Sequence, residues 1–355
     1  MDNANKLFKV GLIGTGRISD IYLQNCSKFD GISVDVCGSL NLQESEEKAQ
    51  KFGVPRVAHP DAIISDPGID CILNLTIPAA HADISLRSLN SGKHVYSEKP
   101  FATNQADALK ILKLAKEKKL KVGNAPDTFL GGRWQTVRRL LDEGKIGTPT
   151  LDLGPYYLTA MVFLMGPISR VSGMARKTFN KRQIENGPRN GEWMNVEVDT
   201  HSLSMFEFES GALGSMTISF DVWDSETPRF EIYGTDGTIC IPDPDPVHGA
   251  NDFHGPVWYR TRKESRWEFQ PRPTDRPKDW LVAENNYGYN ENSRGLGLLD
   301  LMKAVEEDRE PRASGELSSH VLEIMLGILD SPNKGAFVDI KSRCNKPKPL
   351  PKIFP

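Results

Sequence analysis

Two short strings contain the residue types best suited to chemistry. The first is Gly14-Thr15-Gly16-Arg17-Ile18-Ser19, which follows the apolar run 7–13. Small residues between a strand and a helix let backbone N–H groups approach a pyrophosphate at the helix N-terminus. The second string, Glu98-Lys99-Pro100, places a lysine at the carboxyl end of the strand-like run 94–97, where sheets of this kind bind ligands. Together the strings predict a dinucleotide site with a cationic side chain beside it, an arrangement suited to hydride transfer.

The residues near the expected adenosine end leave the choice of dinucleotide open. An acidic residue that binds the ribose usually lies about 20 residues beyond the glycine turn. That point falls in the segment 37–41, which has no acid, and Asp35 lies inside the strand. Ser39 has no carboxylate to repel a 2′-phosphate, but no arginine follows it. The cofactor is therefore NAD or NADP, and we expect a preference for NAD, or dual use, unless Arg17 folds across the turn.

The first third of the chain alternates strand and helix patterns. Strands are predicted at 7–13, 32–37, 71–75 and 94–96, and helices at 19–29, 44–52, 80–90 and after a cap at Thr103 or Asn104. Short connections between alternating strands and helices predict a parallel, doubly wound sheet. This α/β unit positions both strings at the same edge.

The pattern changes after Asn124. The runs 151–157, 202–208, 213–220 and 230–233 read as extended, with Ser210-Gly211 and Asp236-Gly237 at turns. Helical patterns return at 295–307 and 317–330. We expect a dinucleotide-binding domain at 1–124 and an α+β domain with a mostly antiparallel sheet at 125–355, whose late helices are placed to pack back on the first domain.

Composition excludes several classes of protein. A length of 355 residues favours two domains, and a net charge of −3 provides no electrostatic footprint for nucleic acid or an anionic membrane. No apolar stretch is long enough to span a membrane. The first six residues lack a secretion pattern, and five scattered cysteines read as reduced thiols, so we expect a cytoplasmic protein. His248 and His254 lack partners at metal-ligand spacing, so no metal is expected.

Further motifs resemble the Gfo/Idh/MocA (glucose–fructose oxidoreductase / inositol dehydrogenase) family. Beyond the two strings, the resemblance rests on Thr76-Ile77-Pro78, His81, Gly92-Lys93-His94-Val95, Asp152-x-Gly154-x-Tyr156 and Ser314-Gly315-Glu316, and covers nearly the whole chain. It implies a Rossmann domain, a C-terminal domain with a large open sheet, and a substrate between them. It also implies a homodimer or homotetramer paired through the open sheet face.

The resemblance carries catalytic roles to individual positions. In members that oxidise sugars or cyclitols, the lysine of Glu-Lys-Pro contacts cofactor and substrate, and an aspartate and a histidine four residues later supply acid–base chemistry. Here these positions are Lys99, Asp152 and Tyr156, and a tyrosine serves as proton donor in glucose–fructose oxidoreductase-like members. A second family aspartate is replaced by Thr159. Tyrosine is a poor base at its usual pKa of about 10, but the Lys99 ammonium and an oxidised nicotinamide favour the phenolate.

Strand alternation places Asp152 and Tyr156 on one face and Tyr157 on the other. His201 is an alternative acid–base or sugar-binding group. Asp127, Trp134 and Gln135 are candidates for the pocket wall or for the core, as are Tyr287, Tyr289 and Arg294. The candidate cofactor-binding residues are Gly14, Thr15, Gly16, Arg17, Ile18, Ser39, Thr76, Pro78, His81, Glu98 and Lys99, and the candidate substrate-binding residues are Lys99, Asp127, Trp134, Tyr156 and His201.

The leading hypothesis is an NAD(P)-dependent oxidoreductase acting on a secondary hydroxyl or ketone of a sugar, cyclitol or glycoside. One alternative keeps the cofactor but uses transient oxidation to cleave a glycosidic bond. Another is a dinucleotide-binding sensor or subunit without catalysis, against which the presence of Lys99, Asp152 and Tyr156 argues.

Overall fold

The N-terminal part of the chain forms a five-stranded parallel sheet with helices between the strands. The computed structural model describes residues 7–145, 155–185, 189–222, 230–242, 252–261 and 280–354. The first elements in chain order are β1 (Phe8–Ile13), α1 (Ser19–Cys26), β2 (Ile32–Gly38), α2 (Leu42–Phe52), α3 (Pro60–Ser65), β3 (Cys71–Asn74), α4 (Pro78–Asn90), β4 (His94–Ser97), α5 (Gln105–Lys118) and β5 (Val122–Asn124).

The strand order identifies this sheet as a dinucleotide-binding fold. The strands follow the order β2-β1-β3-β4-β5, and a parallel bridge joins Cys37 on the outer edge of β2 to Val57. If this bridge is counted as a vestigial strand, the spatial order becomes 3-2-1-4-5-6, the order of Rossmann sheets. All residues of β3 are buried, as expected for a central parallel strand, and Asn104 caps α5 by accepting from the Asp107 N–H.

Beyond residue 125, the described ranges contain antiparallel sheets and four further α-helices. After a 3-10 turn at Thr128–Leu130 the elements are α6 (Gly132–Asp142), α7 (Pro155–Met165), β6 (Ile168–Arg176), β7 (Lys181–Gln183), β8 (Trp193–Asn195), β9 (His201–Phe208), β10 (Leu213–Ser219), β11 (Phe230–Gly234), β12 (Gly237–Ile241), β13 (Trp258–Thr261), β14 (Leu281–Val282), α8 (Leu296–Glu306), α9 (Gly315–Lys334) and β15 (Val338–Asp339). The predicted fold class, a Rossmann sheet followed by an α+β unit with antiparallel strands, is confirmed.

The antiparallel strands divide into separate sheets. One has the order β10-β9-β6-β15, a second has the order β11-β12-β13-β14, and β7 and β8 form a hairpin. Helix α9 packs on one face of the first sheet and also contacts α5 and β5, while α8 contacts β4 and β5. A continuous hydrophobic core joins the two halves, from Tyr22 and Tyr96 to Phe163 and Phe206.

The predicted strand at 151–157 is wrong where it can be tested. Residues 155–157 begin α7, and 151–154 lie outside the described residues. The segment 158–165 is buried at every position, so no polar face marked it as helical; Pro155 at the first helical position was the available signal. Tyr156 and Tyr157 are therefore neighbours on a helix and do not alternate across a sheet. None of the described helices is long and apolar enough to cross a membrane.

Candidate active site

The β1–α1 turn has the backbone and the space that a bound pyrophosphate needs. Gly14 has a φ of +105°, and a Cβ there would lie 2.5 Å from the Leu75 carbonyl, so glycine lets this turn lie against the one after β3. A Cβ on Gly16 would meet nothing within 4 Å, which leaves the mouth of the turn open. The Ser19 hydroxyl donates to the Gly16 carbonyl at 2.7 Å and closes the first turn of α1. These residues fit a dinucleotide at the helix N-terminus.

Hydroxyl groups cluster at the end of β2, where dinucleotide-binding folds usually have an acidic residue that binds the ribose. The Thr15 hydroxyl donates to Ser39 Oγ at 3.0 Å, and Ser45 Oγ lies 3.0 Å from Ser39 Oγ. Ser39 also donates to the Asn41 carbonyl at 2.8 Å. Arg17, two residues after Thr15 in the chain, is exposed. Since the cluster contains neither a carboxylate nor a cation, the expected preference for NAD or dual use stays a prediction.

The backbone around Lys99 is held by buried side chains. Glu98 Oε2 accepts from the Lys99 N–H at 2.8 Å, and Glu98 Oε1 accepts from the Tyr22 hydroxyl at 2.9 Å. The Asn124 amide donates to the carbonyls of Ser97 and Glu98 at 2.7 and 2.9 Å. Both carboxylate oxygens of Glu98 thus have protein partners, and its evident task is to fix the lysine that follows it.

His81 joins the turn after β3 to the turn after β4. Its Nδ1 lies 2.6 Å from the Pro100 carbonyl and its Nε2 lies 2.9 Å from the Thr76 carbonyl. The residue is 1% exposed, and both ring nitrogens lie close to backbone carbonyls. Its direct contact with a cofactor stays a prediction. Thr76 donates through its own hydroxyl to Asn74 Oδ1, and Pro78 stands exposed at the start of α4.

Lys99 and Tyr156 come together although they lie on different elements. Lys99 Nζ is 5.9 Å from the centroid of the Tyr156 ring, at the start of α7. Burial and the nearby charge of Glu98 raise the pKa of Tyr156, whereas the charge and a hydrogen bond of Arg294 oppose that rise. Tyr157 instead stacks on Phe230 with ring centroids 6.1 Å apart. Tyr156 is therefore the tyrosine that faces the lysine.

Asp127 supports the segment that carries Arg294. Its Oδ2 accepts from the N–H groups of Gly295 and Gly297 at 2.9 and 3.0 Å, at the N-terminus of α8. Burial raises the pKa of Asp127, while those two bonds and the Arg294 charge lower it. At 1% exposure its carboxylate accepts hydrogen bonds from the protein's own backbone, and its contact with a substrate stays a prediction.

Trp134 and Gln135 belong to the core. Trp134 is 1% exposed, donates through Nε1 to the Asp252 carbonyl at 3.0 Å and meets Phe230 edge to face. Gln135 donates to the Phe129 carbonyl at 2.8 Å and accepts from the Leu350 N–H at 2.7 Å. The sequence left Trp134 open between the pocket wall and the core, and its burial and bonded N–H favour the core.

His201 stands apart from these residues. It opens β9, where its Nδ1 lies 2.9 Å from Ser219 Oγ on the adjacent strand. The structure thus places His201 on the antiparallel sheet, whereas Lys99 and Tyr156 meet beside the parallel one. Asp152 lies outside the described residues. Within the described ranges, no group of three or more His, Cys, Asp or Glu residues could hold a metal ion.

The sequence missed the residues that hold the site together. Tyr22 and Asn25 on α1 and Asn124 at the end of β5 contact the segments around Lys99 and Arg294 but belong to no recognisable motif. Arg294 appeared only as a candidate wall residue. Since Asn25 and Arg294 meet across most of the chain length, no local spacing could have predicted their contact.

Both halves of the chain match known families. Residues 8–125 match the model described as the oxidoreductase family, NAD-binding Rossmann fold, and residues 148–240 match the GFO/IDH/MocA C-terminal domain. Together the two matches cover more than half of the chain.

Individual relatives are more distant. The chain is 24% identical over 253 residues to myo-inositol 2-dehydrogenase of Thermotoga maritima. This match covers 65% of this chain and 74% of that protein. It is 25% identical over 264 residues to scyllo-inositol 2-dehydrogenase (NAD(+)) of Bacillus subtilis, at 66% and 73% coverage. The structure of apo levoglucosan dehydrogenase superposes with a TM-score of 0.78 at 19% identity, covering 96% of this chain and 100% of that one. That likeness concerns the fold.

Proposed function

Because the chain belongs to the Gfo/Idh/MocA family of NAD-binding oxidoreductases, we propose that it oxidises a secondary hydroxyl of a sugar, cyclitol or glycoside, or reduces the matching ketone. The observation that carries this proposal is the position of Lys99 Nζ over the Tyr156 ring, at the edge of the sheet that also bears the open glycine turn. The inositol dehydrogenases among its relatives support a polyhydroxylated substrate.

In the proposed reaction the protein orients one carbon and moves one proton. A bound nicotinamide supplies the hydride chemistry. Lys99 binds the substrate hydroxyl and keeps a positive charge beside the Tyr156 ring. During oxidation the hydroxyl proton passes to the Tyr156 oxygen, and during reduction it returns from there. Asp152, by its family resemblance, orients the substrate or relays the proton, and His201 is the alternative acid–base group.

Loss of the Lys99 ammonium tests the proposal. Lys99→Ala should lower turnover of cyclitols and sugars by more than ~100-fold, because both substrate orientation and charge stabilisation are lost. Cofactor binding, followed by NAD(P)H fluorescence, should persist because the turn at 14–19 is separate. Near-normal turnover in the variant would remove Lys99 from the mechanism. Net glycoside hydrolysis without accumulation of NADH would instead identify bond cleavage by transient oxidation.

We also infer an assembly, a location and a domain boundary. The face of the β10-β9-β6-β15 sheet opposite α9 exposes Met174, Leu203, Met205 and Leu213, which supports pairing of two chains through this face. All five cysteines are free thiols, which supports a cytoplasmic location. The end of β5 at Asn124 supports a division between the domains at that residue.

A further inference from the structure

His81 faces two backbone carbonyl groups with its two ring nitrogens. Nδ1 lies 2.6 Å from the Pro100 oxygen, and Nε2 lies 2.9 Å from the Thr76 oxygen. A carbonyl oxygen can only accept a hydrogen bond, and a neutral imidazole has one N–H. A neutral ring would therefore donate to one carbonyl and turn a lone pair toward the other, at a residue that is 1% exposed. Both contacts become hydrogen bonds when both nitrogens carry a proton.

The opposite orientation of the ring does not fit these distances. A half-turn about the Cβ–Cγ bond would place ring carbons where the nitrogens lie. A C–H donor typically lies about 3.3–3.6 Å from the oxygen that accepts from it, which is longer than both contacts of His81. The two nitrogens therefore belong against Pro100 and Thr76.

Two other histidines that are largely shielded from water have the reverse arrangement. His94 Nδ1 accepts from the Lys121 N–H at 2.9 Å, and His320 Nε2 accepts from the Ile168 N–H at 3.1 Å. A nitrogen that accepts a hydrogen bond carries no proton, and burial lowers the pKa of both residues. Both of these rings are therefore neutral near pH 7. His81 differs because neither of its partners can donate.

A shielded cation between two carbonyl oxygens also occurs elsewhere in the same domain. Lys93 is 6% exposed, and its Nζ donates to the carbonyls of Asp66 and Ile69 at 2.6 and 2.7 Å. A cation with so little exposure is tolerated when such acceptors replace water. The two carbonyls beside His81 offer an imidazolium the same support, with one acceptor for each N–H.

The two carbonyls belong to the turns that meet at the candidate site. Thr76 lies in the turn after β3, and a Cβ on Gly14 would lie 2.5 Å from the carbonyl group of the residue before Thr76. The turn after β3 therefore lies against the glycine turn that fits a dinucleotide. Pro100 directly follows Lys99 in the turn after β4. His81 thus connects the lysine to backbone that lies against the dinucleotide turn.

We propose that His81 is a positioning residue for Lys99, acting as an imidazolium that donates one N–H to the Pro100 carbonyl and the other to the Thr76 carbonyl. The inference rests on the proposed function, in which Lys99 binds the substrate hydroxyl. On the other side of the lysine, Glu98 accepts from the Lys99 N–H at 2.8 Å. The backbone is thus held on both sides of the Lys99 side chain, which sets the position of its ammonium relative to the dinucleotide turn.

Kinetics of histidine variants test the positioning role. His81→Gln should lower kcat by ~10- to 100-fold with little change in KM, because a small displacement of Lys99 costs more in the transition state than in substrate binding. Titration of NAD(P)H fluorescence counts the folded sites, so kcat is expressed per site. His81→Lys should recover part of kcat, since an ammonium has donors for both carbonyls. The matched control is His94→Gln, the same change at the far end of β4, which should leave kcat nearly unchanged.

Nitrogen NMR of the unmodified, substrate-free protein separates this inference from the proposed function and needs no variant. At pH 7 both ring nitrogens of His81 should have the chemical shifts of protonated nitrogens. His94 and His320 are internal controls, and each should show one nitrogen with a proton and one without. A doubly protonated His81 in a protein that turns over no polyol would keep the bridge between the turns and reject the substrate class. An unprotonated nitrogen on His81, or an undiminished kcat per site in His81→Gln, overturns the inference.

Discussion

At the scale of single residues, the groups around Lys99 differ in what their atoms already contact. Glu98 accepts a hydrogen bond from the Lys99 N–H, and a ring nitrogen of His81 lies close to the Pro100 carbonyl. The carboxylate of Asp127 accepts from a backbone N–H at the start of α8. A preorganised site needs such supports, because a reacting group displaced by about 1 Å loses much of its rate advantage. In the proposed reaction, the proton transfer and the binding of the substrate hydroxyl are left to Lys99 and Tyr156.

Removing one oxygen atom tests the role of Tyr156. Tyr156→Phe should lower kcat by ~10² or more with little change in KM, because the ring and its packing remain while the transferable proton is lost. Steady-state kinetics over a range of pH measure this effect. Since burial raises the pKa of Tyr156, the essential group in the unmodified protein should ionise in the alkaline range.

His201 provides the comparison for this variant. His201→Asn should have a milder effect, acting mainly on KM, because the ring contacts Ser219 on the antiparallel sheet. A steep loss of kcat in His201→Asn together with a mild one in Tyr156→Phe would transfer the acid–base role to the histidine. An essential group that ionises near pH 6.5 would point the same way.

Short motifs predicted which residues can do chemistry, but not which ones support them. Lys99 and Tyr156 were identified because their spacing within Glu-Lys-Pro and Asp-x-Gly-x-Tyr is local. The roles of Asp127 and Glu98 depend on partners at Gly295 and Tyr22, far away in sequence. A sequence shows that a carboxylate is present, whereas only the fold shows which N–H groups reach it.

At the scale of elements, the spacing of apolar residues explains why β9 and β10 were predicted correctly and α7 was predicted as a strand. β9 and β10 alternate buried and exposed residues because one face packs on the core, so both were recognised. α7 is surrounded by protein on all sides, so its apolar run has no period of 3.6 and reads as extended. The prediction placed Tyr156 on a strand, whereas the structure has it on a helix. Its expected proximity to Lys99 is the same in both.

One buried histidine couples two elements and should make stability depend on pH. His320 on α9 accepts from the Ile168 N–H at 3.1 Å through Nε2, and its Nδ1 lies 3.0 Å from Ser342 Oγ. Burial lowers its pKa from 6.5 to about 4 although Glu323 opposes the shift. The folded protein therefore keeps a neutral ring while the unfolded chain takes up a proton below pH 6.5. This contribution, about 3 kcal/mol, is present above pH 6.5 and is lost as the pH falls through 4.

Urea unfolding at pH 7 and pH 4 measures this contribution. His320→Gln should destabilise the protein at pH 7 by about 1–3 kcal/mol, because buried hydrogen bonds are lost. The variant should also lose less stability between pH 7 and pH 4, so the free energies of unfolding of the two proteins should become similar at pH 4. His59→Gln, a change at the half-exposed cap of α3, should keep the unmodified pH dependence. Equal acid losses in all three proteins would exclude His320 as the cause.

At the scale of the whole molecule, the candidate site exists only because the two halves share a core. On α1, Tyr22 donates to Glu98 and Asn25 donates to the segment before α8, so one helix supports both segments of the candidate site. The alternation of strands and helices was enough to predict the parallel sheet. Helices α8 and α9 contact the parallel sheet, as the sequence analysis expected of the late helices. The sequence did not indicate which strands they contact, because packing between distant segments has no local sequence signal.

The exposed sheet face leads to a prediction about assembly. Leu203 and Met205 on β9 are 48% and 54% exposed, and Met174 on β6 lies opposite Leu203 in register. Apolar side chains in adjacent strands form a flat patch of the kind that marks an interface between subunits. Met205→Asp should therefore convert a dimer or tetramer to smaller species in sedimentation, because pairing would bury a charge without a partner. Leu109→Asp, at a 53% exposed position on α5, should leave the assembly unchanged. A monomeric unmodified protein, or an assembly that survives Met205→Asp with undiminished affinity, would rule out this face as the interface.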